Sequence, residues 1–357
     1  MIRERGPLTV AAFMELALYH PEFGYYARAS QRSGRAGDFF TSVDVGPLFG
    51  DLLEVQVAEC FDIIQRSNET RGSASTVDLV EAGAGNGRLS TDILRAARRS
   101  GRPWYERTRL HLIEVSAAAR AAHRAVLGDV ADRLVWSDST LPRSFRGVLI
   151  ANELLDAMPV HQVVMREDGL HEMYVDWRPG IATVEGPPST PRLQHYLDRA
   201  GVQLEPGWVA EINLHAVDWI ADAARRLERG FVILIDYGHE ARELYSVSHS
   251  TGTLTTFHRH RQAAVLGPAA DITSHVDFSS IRAAAESEGL RTLGFLDQTY
   301  FLMGILNRAG WGPGRSTGAL RTLLMPGGLG STHKVLLLGK DVGQPSLVGC
   351  SFSQRVT

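Results

Sequence analysis

The fold is decided by the stretch Val77-Asp78-Leu79-Val80-Glu81-Ala82-Gly83-Ala84-Gly85-Asn86-Gly87-Arg88-Leu89. A short apolar run ends in an acidic residue, three alternating glycines follow, and residues 90–99 have a helix-like composition. This order predicts a strand, a tight turn and the start of a helix. Glycines are needed in such a turn because a Cβ atom would block the close approach of a ligand to the backbone.

The glycine spacing indicates the kind of ligand. A G-x-G-x-G pattern after an acid differs from the G-x-G-x-x-G of dinucleotide-binding proteins. We therefore expect S-adenosylmethionine, with Gly83, Gly85 and Gly87 passing under its methionine part. Glu81 is expected to hold the ammonium group, directly or through water. A glycine-rich turn without a ligand remains the alternative, because this class of motif is permissive.

Composition and charge narrow the class of protein. The 357 residues are 44% hydrophobic and 22% charged, which is ordinary for a globular protein, and the formal net charge of −3 offers no argument for nucleic-acid binding. Cys60 and Cys350 suggest neither a disulfide framework nor a metal site, so we expect a reducing, cytoplasmic setting. No apolar run approaches the roughly 20 residues of a membrane helix. The strong preference for arginine over lysine is typical of a GC-rich, bacterial gene.

The order of predicted elements indicates a parallel sheet. Near-continuous apolar runs alternate with helices from residue 77 onward, which predicts βαβ units with right-handed crossovers. The predicted strands are Val77–Glu81, Arg109–Val115, Leu134–Trp136, Gly147–Ala151, Phe231–Asp236 and His333–Leu338.

Three regions are expected along the chain. Residues 1–75 are predicted as a helical N-terminal extension, with helices over about 9–19 and 49–64. Residues 76–340 are predicted as the main domain, with insertions at about 161–204 (which includes a hairpin) and 240–273. Residues 341–357 are predicted as a weakly ordered tail.

Polar residues after successive strands predict the rest of a cofactor pocket. Glu114 follows the second strand and can accept both ribose hydroxyls, and Asp138 follows the third and can accept from the adenine amino group. A surface acid and a helix cap are the alternatives for these two residues. Asn152, after the fourth strand, can position the cofactor or the methyl acceptor.

Further candidates lie on the acceptor side. Glu153 and Asp156 share a face if their segment is helical, and two carboxylates could clamp a guanidinium. One cap and one solvated acid are the alternative. His239 follows the fifth strand, and either it or His161 could relay a proton. The candidate histidines are spread without metal-ligand spacing, so we expect no metal; they are His161, His239, His258, His260 and His275.

The motifs together resemble the MidA-like methyltransferases in order and spacing. The matching segments are Gly37–Ser42, Leu48–Gly50, Leu79–Gly87, Ile113–Ser116, Ala151–His161, Asp236–His239, Asp271–Phe278 and Gln298–Ile305. The resemblance covers roughly residues 7–340. The sequence departs from the family at Val43-Asp44-Val45, where Pro-Glu-Ile is usual.

The resemblance implies a class I, Rossmann-like methyltransferase with a seven-stranded, mostly parallel sheet. It also implies S-adenosylmethionine as cofactor, Thr41 and Ser42 near it, and symmetric dimethylation of a protein arginine. The expected partner is a protein, with a respiratory-complex subunit among the candidates. A small-molecule methyltransferase and a cofactor-binding, non-catalytic assembly factor remain alternatives, and a nicotinamide dehydrogenase is a more distant one.

Overall fold

The computed structural model describes residues 2, 6–27, 41–69, 76–178, 180–258, 261–263, 271–310, 318–325 and 329–352. Residues 37–40 of the family-like N-terminal loop, and His260, lie outside this set. The chain forms two compact units. The first unit comprises residues 1–29, 155–221 and 238–284, and the second comprises residues 30–154, 222–237 and 285–357.

The strands of the described residues are β1 Leu8–Thr9, β2 Val77–Ala82, β3 Thr108–Ile113, β4 Leu134–Asp138, β5 Phe145–Asn152, β6 His161–Arg166, β7 Gly169–Trp177, β8 Ile181–Gly186, β9 Val209–Ile212, β10 Leu227–His239, β11 Thr255–His258, β12 Arg261–Ala263, β13 Asp271–Thr273, β14 Val276–Asp277, β15 Arg291–Asp297 and β16 His333–Lys340.

The α-helices of the same residues are α1 Val10–Tyr19, α2 Leu48–Glu69, α3 Arg88–Arg99, α4 Ala117–Leu127, α5 Arg192–Ala200, α6 Leu214–Arg226, α7 Ala241–Leu244, α8 Phe278–Ser287, α9 Gln298–Arg308, α10 Gly318–Leu324 and α11 Leu329–Thr332. None of the helices described here is both long and apolar enough to cross a membrane.

The second unit is built on the large sheet, whose strand order is β15-β16-β10-β5-β2-β3-β4. Strands β4, β3, β2, β5 and β10 run parallel, whereas β16 is antiparallel to both β10 and β15. The predicted parallel sheet and its six strands are therefore confirmed. In the described residues the sheet has eight strands rather than seven, since the two-residue β14 also pairs with β10, at Gly238 and His239.

Strand β15 was not predicted. It has the sequence Arg-Thr-Leu-Gly-Phe-Leu-Asp, and Gly294 in its middle breaks the apolar run that marks the other strands. A side chain at position 294 would collide with Cys350, because a Cβ there would lie 2.2 Å from Cys350 Sγ. Close packing against Cys350 therefore favours glycine at position 294. The same glycine interrupts the apolar run, so the sequence does not show β15 as a strand.

Helix α2 confirms the second predicted helix. Its Leu53, Val57 and Phe61 are fully buried in the core of the second unit. The Phe61 ring packs on Trp104, with 4.9 Å between the ring centroids. Apolar residues at four-residue spacing therefore cover the sheet, as the helical period predicts.

The first unit is built on antiparallel pairs. Its main sheet has the order β1-β7-β6-β9, with β8 also paired to β7. Strands β6 and β7 form the predicted hairpin, with Arg166 opposite Gly169. Strand β1 pairs with β7, and Thr9 caps α1 by accepting from Ala12 N at 3.1 Å. The expected N-terminal extension is thus divided, because α1 belongs to the first unit and α2 to the second.

The described part of the C-terminal tail is packed rather than weakly ordered. Leu347 is buried in the core, and Val348 N donates to Glu59 Oε2 at 2.8 Å. Gly349 N donates to Gln56 Oε1 at 2.9 Å. Two side-chain acceptors on α2 therefore hold this segment, which composition alone did not indicate.

Candidate active site

The glycine turn lies between β2 and α3, with φ of +70° at Gly83, +52° at Gly85 and +84° at Gly87. A Cβ at Gly83 would lie 3.0 Å from Leu154 Cδ1, and one at Gly87 would lie 3.0 Å from Leu112 Cδ1. A Cβ at Gly85 would meet no atom within 4 Å. The outer glycines therefore serve close packing, while the middle one faces open space where a ligand can approach the backbone.

Glu114 connects this turn to the end of the neighbouring strand. Its Oε2 accepts from Gly85 N at 2.8 Å, and its Oε1 accepts from Ser116 N at 2.7 Å. Its own backbone N donates to Asp138 O at 2.8 Å. Burial raises the pKa of the Glu114 carboxyl. Since each carboxylate oxygen has a further lone pair, the group can still accept from a hydroxyl pair.

His123 supports the same turn and was not predicted from the sequence. Its Nε2 lies 2.9 Å from Gly85 O and its Nδ1 lies 2.9 Å from Ser137 Oγ. A carbonyl can only accept, so Nε2 carries the proton and Nδ1 accepts from the serine. Burial lowers the pKa of His123, which favours this neutral form. Its spacing of four residues from Ala119 and Leu127 on the buried face of α4 was the available signal.

Glu81 lies at the base of the turn and is buried. Its Oε2 accepts from Ser90 N at 3.0 Å and also from Ser90 Oγ. Burial raises its pKa to about 7, although the bonds from Ser90 oppose the shift. Glu81 therefore anchors the first turn of α3, and its expected contact with an ammonium group stays a prediction.

Asn152 and Glu153 follow one another at the end of β5, at the same edge of the sheet. Asn152 Nδ2 donates to Glu153 Oε1 at 3.3 Å, while Asn152 Oδ1 is buried without a hydrogen-bond partner among the described residues. Glu153 has φ of +50°, a left-handed conformation that non-glycine residues rarely adopt. Its backbone N donates to Ile235 O at 2.8 Å, which helps to hold this conformation.

His333 was not predicted as a site residue, yet it lies beside Glu153. The distance from its Nε2 to Glu153 Oε1 is 3.6 Å, and both side chains are buried. Burial lowers the pKa of His333, but Glu153 and Asp236 more than offset this and raise it above the ordinary value. The ring also packs edge-on against Tyr237, 4.8 Å away. His333 is the first residue of β16, and no sequence motif marks it as a site residue.

Thr41 and Ser42, predicted near the cofactor, are buried in the second unit. Ser42 N donates to Glu153 Oε1 at 3.2 Å, and Ser42 Oγ donates to Gln298 Oε1 at 3.1 Å. Thr41 N and Oγ1 both donate to Asp44 Oδ2 at 3.0 Å. Ser42 therefore contacts the candidate acceptor-side carboxylate, and direct contact of either residue with the cofactor stays a prediction.

Asp138 ends β4, where its Oδ1 accepts from Ser139 N at 2.6 Å. This bond leaves its expected role towards adenine open.

Asp156 and His239 belong to the first unit. Residues 153–158 form a turn rather than a helix, so the helical spacing that placed Glu153 and Asp156 on one face does not apply. Asp156 is buried, and its carbonyl accepts from Ser274 N at 3.0 Å.

The second unit fits S-adenosylmethionine on three observations. The space above Gly85 is open, the Glu114 carboxylate retains acceptor capacity at the end of β3, and the Asn152 Oδ1 needs a donor. All three lie at the carboxyl ends of parallel strands, where ligands bind in open α/β sheets. The sheet and this site define a class I S-adenosylmethionine-dependent methyltransferase.

Comparisons with known proteins give the family. The model of a family described as an S-adenosyl-L-methionine-dependent methyltransferase matches residues 55–296, and the chain belongs to this family. It is 30% identical to the mouse mitochondrial protein arginine methyltransferase NDUFAF7, over 96% of this chain and 78% of the relative. It is 29% identical to the human protein of that name, over 85% and 71% respectively.

Solved structures agree with this assignment. A Burkholderia thailandensis protein bound to S-adenosyl-homocysteine superposes with a TM-score of 0.87 at 29% identity, covering 99% of this chain and 92% of that one. A second structure from the same organism superposes with a TM-score of 0.82 at 29% identity, covering 98% of this chain and 91% of that one. This chain is therefore an S-adenosylmethionine-dependent methyltransferase, and the predicted class I fold and cofactor are confirmed.

Proposed function

We propose that this enzyme methylates the guanidinium of a protein arginine and forms symmetric dimethylarginine. The Glu153 carboxylate is the observation that carries the proposal. Glu153 directly follows the central strand β5, and its side chain is buried. The Oδ1 atom of the adjacent Asn152 is buried and has no hydrogen-bond partner among the described residues. The mouse and human relatives, which are named protein arginine methyltransferases, support the same acceptor.

The contacts of Glu153 leave one of its oxygens available. Within the described residues Oε1 is contacted by Ser42 N, Asn152 Nδ2 and His333 Nε2. Oε2 is therefore the oxygen that can accept from a substrate N–H group. A planar guanidinium matches a carboxylate better than an ammonium does, because its N–H groups point in fixed directions. The strained backbone of Glu153 costs roughly 1–2 kcal/mol, and strain of this kind is concentrated at functional sites.

The cofactor, when bound, supplies a methyl group that is already activated on a sulfonium. The protein must orient the guanidinium and remove the proton that methylation releases. Glu153 would draw the positive charge of the guanidinium towards itself, away from the attacking nitrogen. The released proton can then be held at the Glu153 carboxylate, whose Oε1 lies 3.6 Å from His333 Nε2.

The other acceptor-side predictions remain part of this proposal. Asp156 is retained as a second carboxylate for the guanidinium, and His239 as a proton relay. Thr41 and Ser42 are proposed to border the cofactor, and Asp138 to accept from adenine. A protein substrate is favoured over a small molecule, and a respiratory-complex subunit is one substrate to test.

Labelled methyl transfer tests the acceptor. Purified enzyme and radiolabelled S-adenosylmethionine are added to a lysate from cells that lack the gene, and the lysate is then fractionated by size. We expect label in protein, and acid hydrolysis followed by mass spectrometry should give symmetric dimethylarginine. Label confined to small molecules would establish the alternative acceptor class. Label on a different protein residue would remove arginine from the proposal while leaving methyl transfer to protein intact.

A further inference from the structure

Three histidines from separate segments of the first unit come together. His239 ends β10, His249 ends a short 3-10 helix at Val247–His249, and His275 lies between β13 and β14. The ring centroids are 4.8 Å apart for His239 and His249, 5.3 Å for His239 and His275, and 5.8 Å for His249 and His275. One ring nitrogen from each residue lies within 4.8 Å of the other two.

The chemistry of this cluster favours a cation. All three residues are half-buried, so three imidazoles share a region of restricted hydration. Burial, together with His239 and His249, lowers the pKa of His275 to about 4. His275 is therefore neutral at physiological pH, and neutral imidazole is the form that binds metal. Its Nδ1 is buried without a hydrogen-bond partner among the described residues.

Glu243, on α7, lies beside two of the three rings. A carboxylate oxygen of Glu243 lies 3.0 Å from His239 Nδ1, and the backbone carbonyl of the same residue lies 3.0 Å from His249 Nδ1. Histidines that bind metals commonly have their other ring nitrogen held by a carboxylate or a carbonyl. The third histidine is positioned through its backbone, since His275 N donates to Thr253 Oγ1 at 3.1 Å.

We propose that His239, His249 and His275 form a binding site for a divalent transition metal, with zinc as the first choice. Imidazole suits zinc, copper, iron and nickel, and zinc accepts three nitrogen ligands with a fourth position for water or another ligand. Tetrahedral zinc with bonds of about 2.0–2.1 Å brings its ligand atoms to roughly 3.4 Å from one another. Small side-chain rotations would therefore complete the site.

The bound ion would link three segments that are distant in sequence. It would tie the end of β10 to the 3-10 helix and to the β13–β14 connection. A metal-bound imidazole cannot also exchange a proton at the ligating atom, so the proton-relay role proposed above for His239 applies to the metal-free protein. No sequence pattern marks this site, because intervals of 10 and 26 residues separate its ligands.

Zinc titration of the full-length, chelator-treated protein tests the proposal. Calorimetry should show one zinc ion per chain, and cobalt(II) should give the visible absorption of a tetrahedral site. His249→Gln and His275→Gln should each weaken zinc binding at least 100-fold. Glu243→Gln should weaken it about 10-fold, because the carboxylate charge 3.0 Å from His239 Nδ1 is lost.

Two matched variants provide the controls. His171→Gln removes a histidine that pairs with Asp168 in the hairpin, and Glu240→Gln removes the carboxylate that pairs with Arg282 beside α7. Both should bind zinc as the unchanged protein does. Absence of stoichiometric zinc binding would overturn the proposal, and so would unchanged affinity in the two ligand variants. If a ligand variant fails to fold, a cobalt spectrum without tetrahedral bands in the unchanged protein would overturn it as well.

Discussion

Each unit of the molecule contains a buried glutamate side chain beside a histidine, and the two pairs use their carboxylates differently. In the first unit, Glu172 Oε1 lies 2.7 Å from His161 Nδ1, and its Oε2 accepts from Ser189 N at 2.6 Å. In the second unit, the described contacts of the Glu153 carboxylate all fall on one oxygen.

The difference lies in unused acceptor capacity and in backbone strain rather than in burial. Glu172 lies within the regular strand β7, whereas Glu153 has a left-handed backbone after β5. A carboxylate with both oxygens occupied by its own chain stabilises the fold. A strained carboxylate with one oxygen available is suited to bind a substrate.

The strongest test of this comparison is Glu153→Gln. The amide keeps the size of the side chain but loses the charge that orients a guanidinium. We expect methyl transfer to fall at least 100-fold, equivalent to about 3 kcal/mol, while the affinity for S-adenosylmethionine changes less than threefold. Single-turnover transfer and calorimetry measure the two quantities. Unchanged transfer would remove Glu153 from the site.

Glu172→Gln should give the opposite result. The free energy of unfolding should fall by about 2 kcal/mol, because a charged hydrogen bond to His161 is weakened. Burial alone would raise the pKa of Glu172, but His161 and Ser189 lower it below its ordinary value. The stabilisation is therefore complete above the unfolded pKa of about 4.5 and is lost as the pH falls through the folded pKa.

Urea unfolding at several pH values measures this effect, with transfer by the folded variant assayed in parallel. Transfer should stay within twofold of the unchanged enzyme. A large loss of methyl transfer without a loss of stability would show that the Glu172–His161 pair also takes part in the reaction.

Gly85→Ala tests whether the cofactor binds at the glycine turn, at a position separate from Glu153. Gly101→Ala is the matched control, because Gly101 has φ of +61° and, as at Gly85, an added Cβ would have no atom within 4 Å. Both changes should cost about 1–2 kcal/mol of stability for a left-handed alanine. Only Gly85→Ala should also weaken cofactor binding, by about tenfold, and equal binding by both variants would mean that the site is misplaced.

His333→Gln should have the smallest effect. The pKa of His333 is raised by Glu153 and Asp236 against the opposing effect of burial, so its charged form stabilises the fold. This stabilisation is complete below the unfolded pKa of about 6.5 and is lost as the pH rises through the folded pKa. We expect the variant to be about 1 kcal/mol less stable at pH 6 and nearly equal at pH 9, as measured by urea unfolding. If the variant and the unchanged protein differed by the same free energy of unfolding at both pH values, His333 would not be charged in the folded protein.

Much of the second unit could be predicted from sequence because its signals are local. A buried parallel strand is a continuous apolar run, and a turn with positive φ requires glycine, so β2 and Gly83–Gly87 were both identified. Glu114 and Asn152 followed from their positions after strands. These residues could be placed without knowing the tertiary contacts.

The remaining features depend on contacts between distant residues. His123 and His333 are single histidines in ordinary elements, and only the packed structure places them against Gly85 and Glu153. The division of the N-terminal region was also missed, because the pairing of β1 with β7 joins residues separated by more than 160 positions. Residues 153–158 form a turn that no sequence pattern predicts, because the segment lacks a helical or alternating period.

The pairing of β1 with β7 also has a consequence for synthesis on the ribosome. Residues 8–19 are made before residues 174–175, so β1 has to await Tyr174 and Val175 before it can pair. At roughly 5–20 residues per second, the delay is on the order of 10–30 s. Val10, Met14 and Leu18, which are fully buried in the finished protein, cannot reach their final packing during that interval. The nascent chain thus presents an early apolar segment to chaperones well before its partner strand is available.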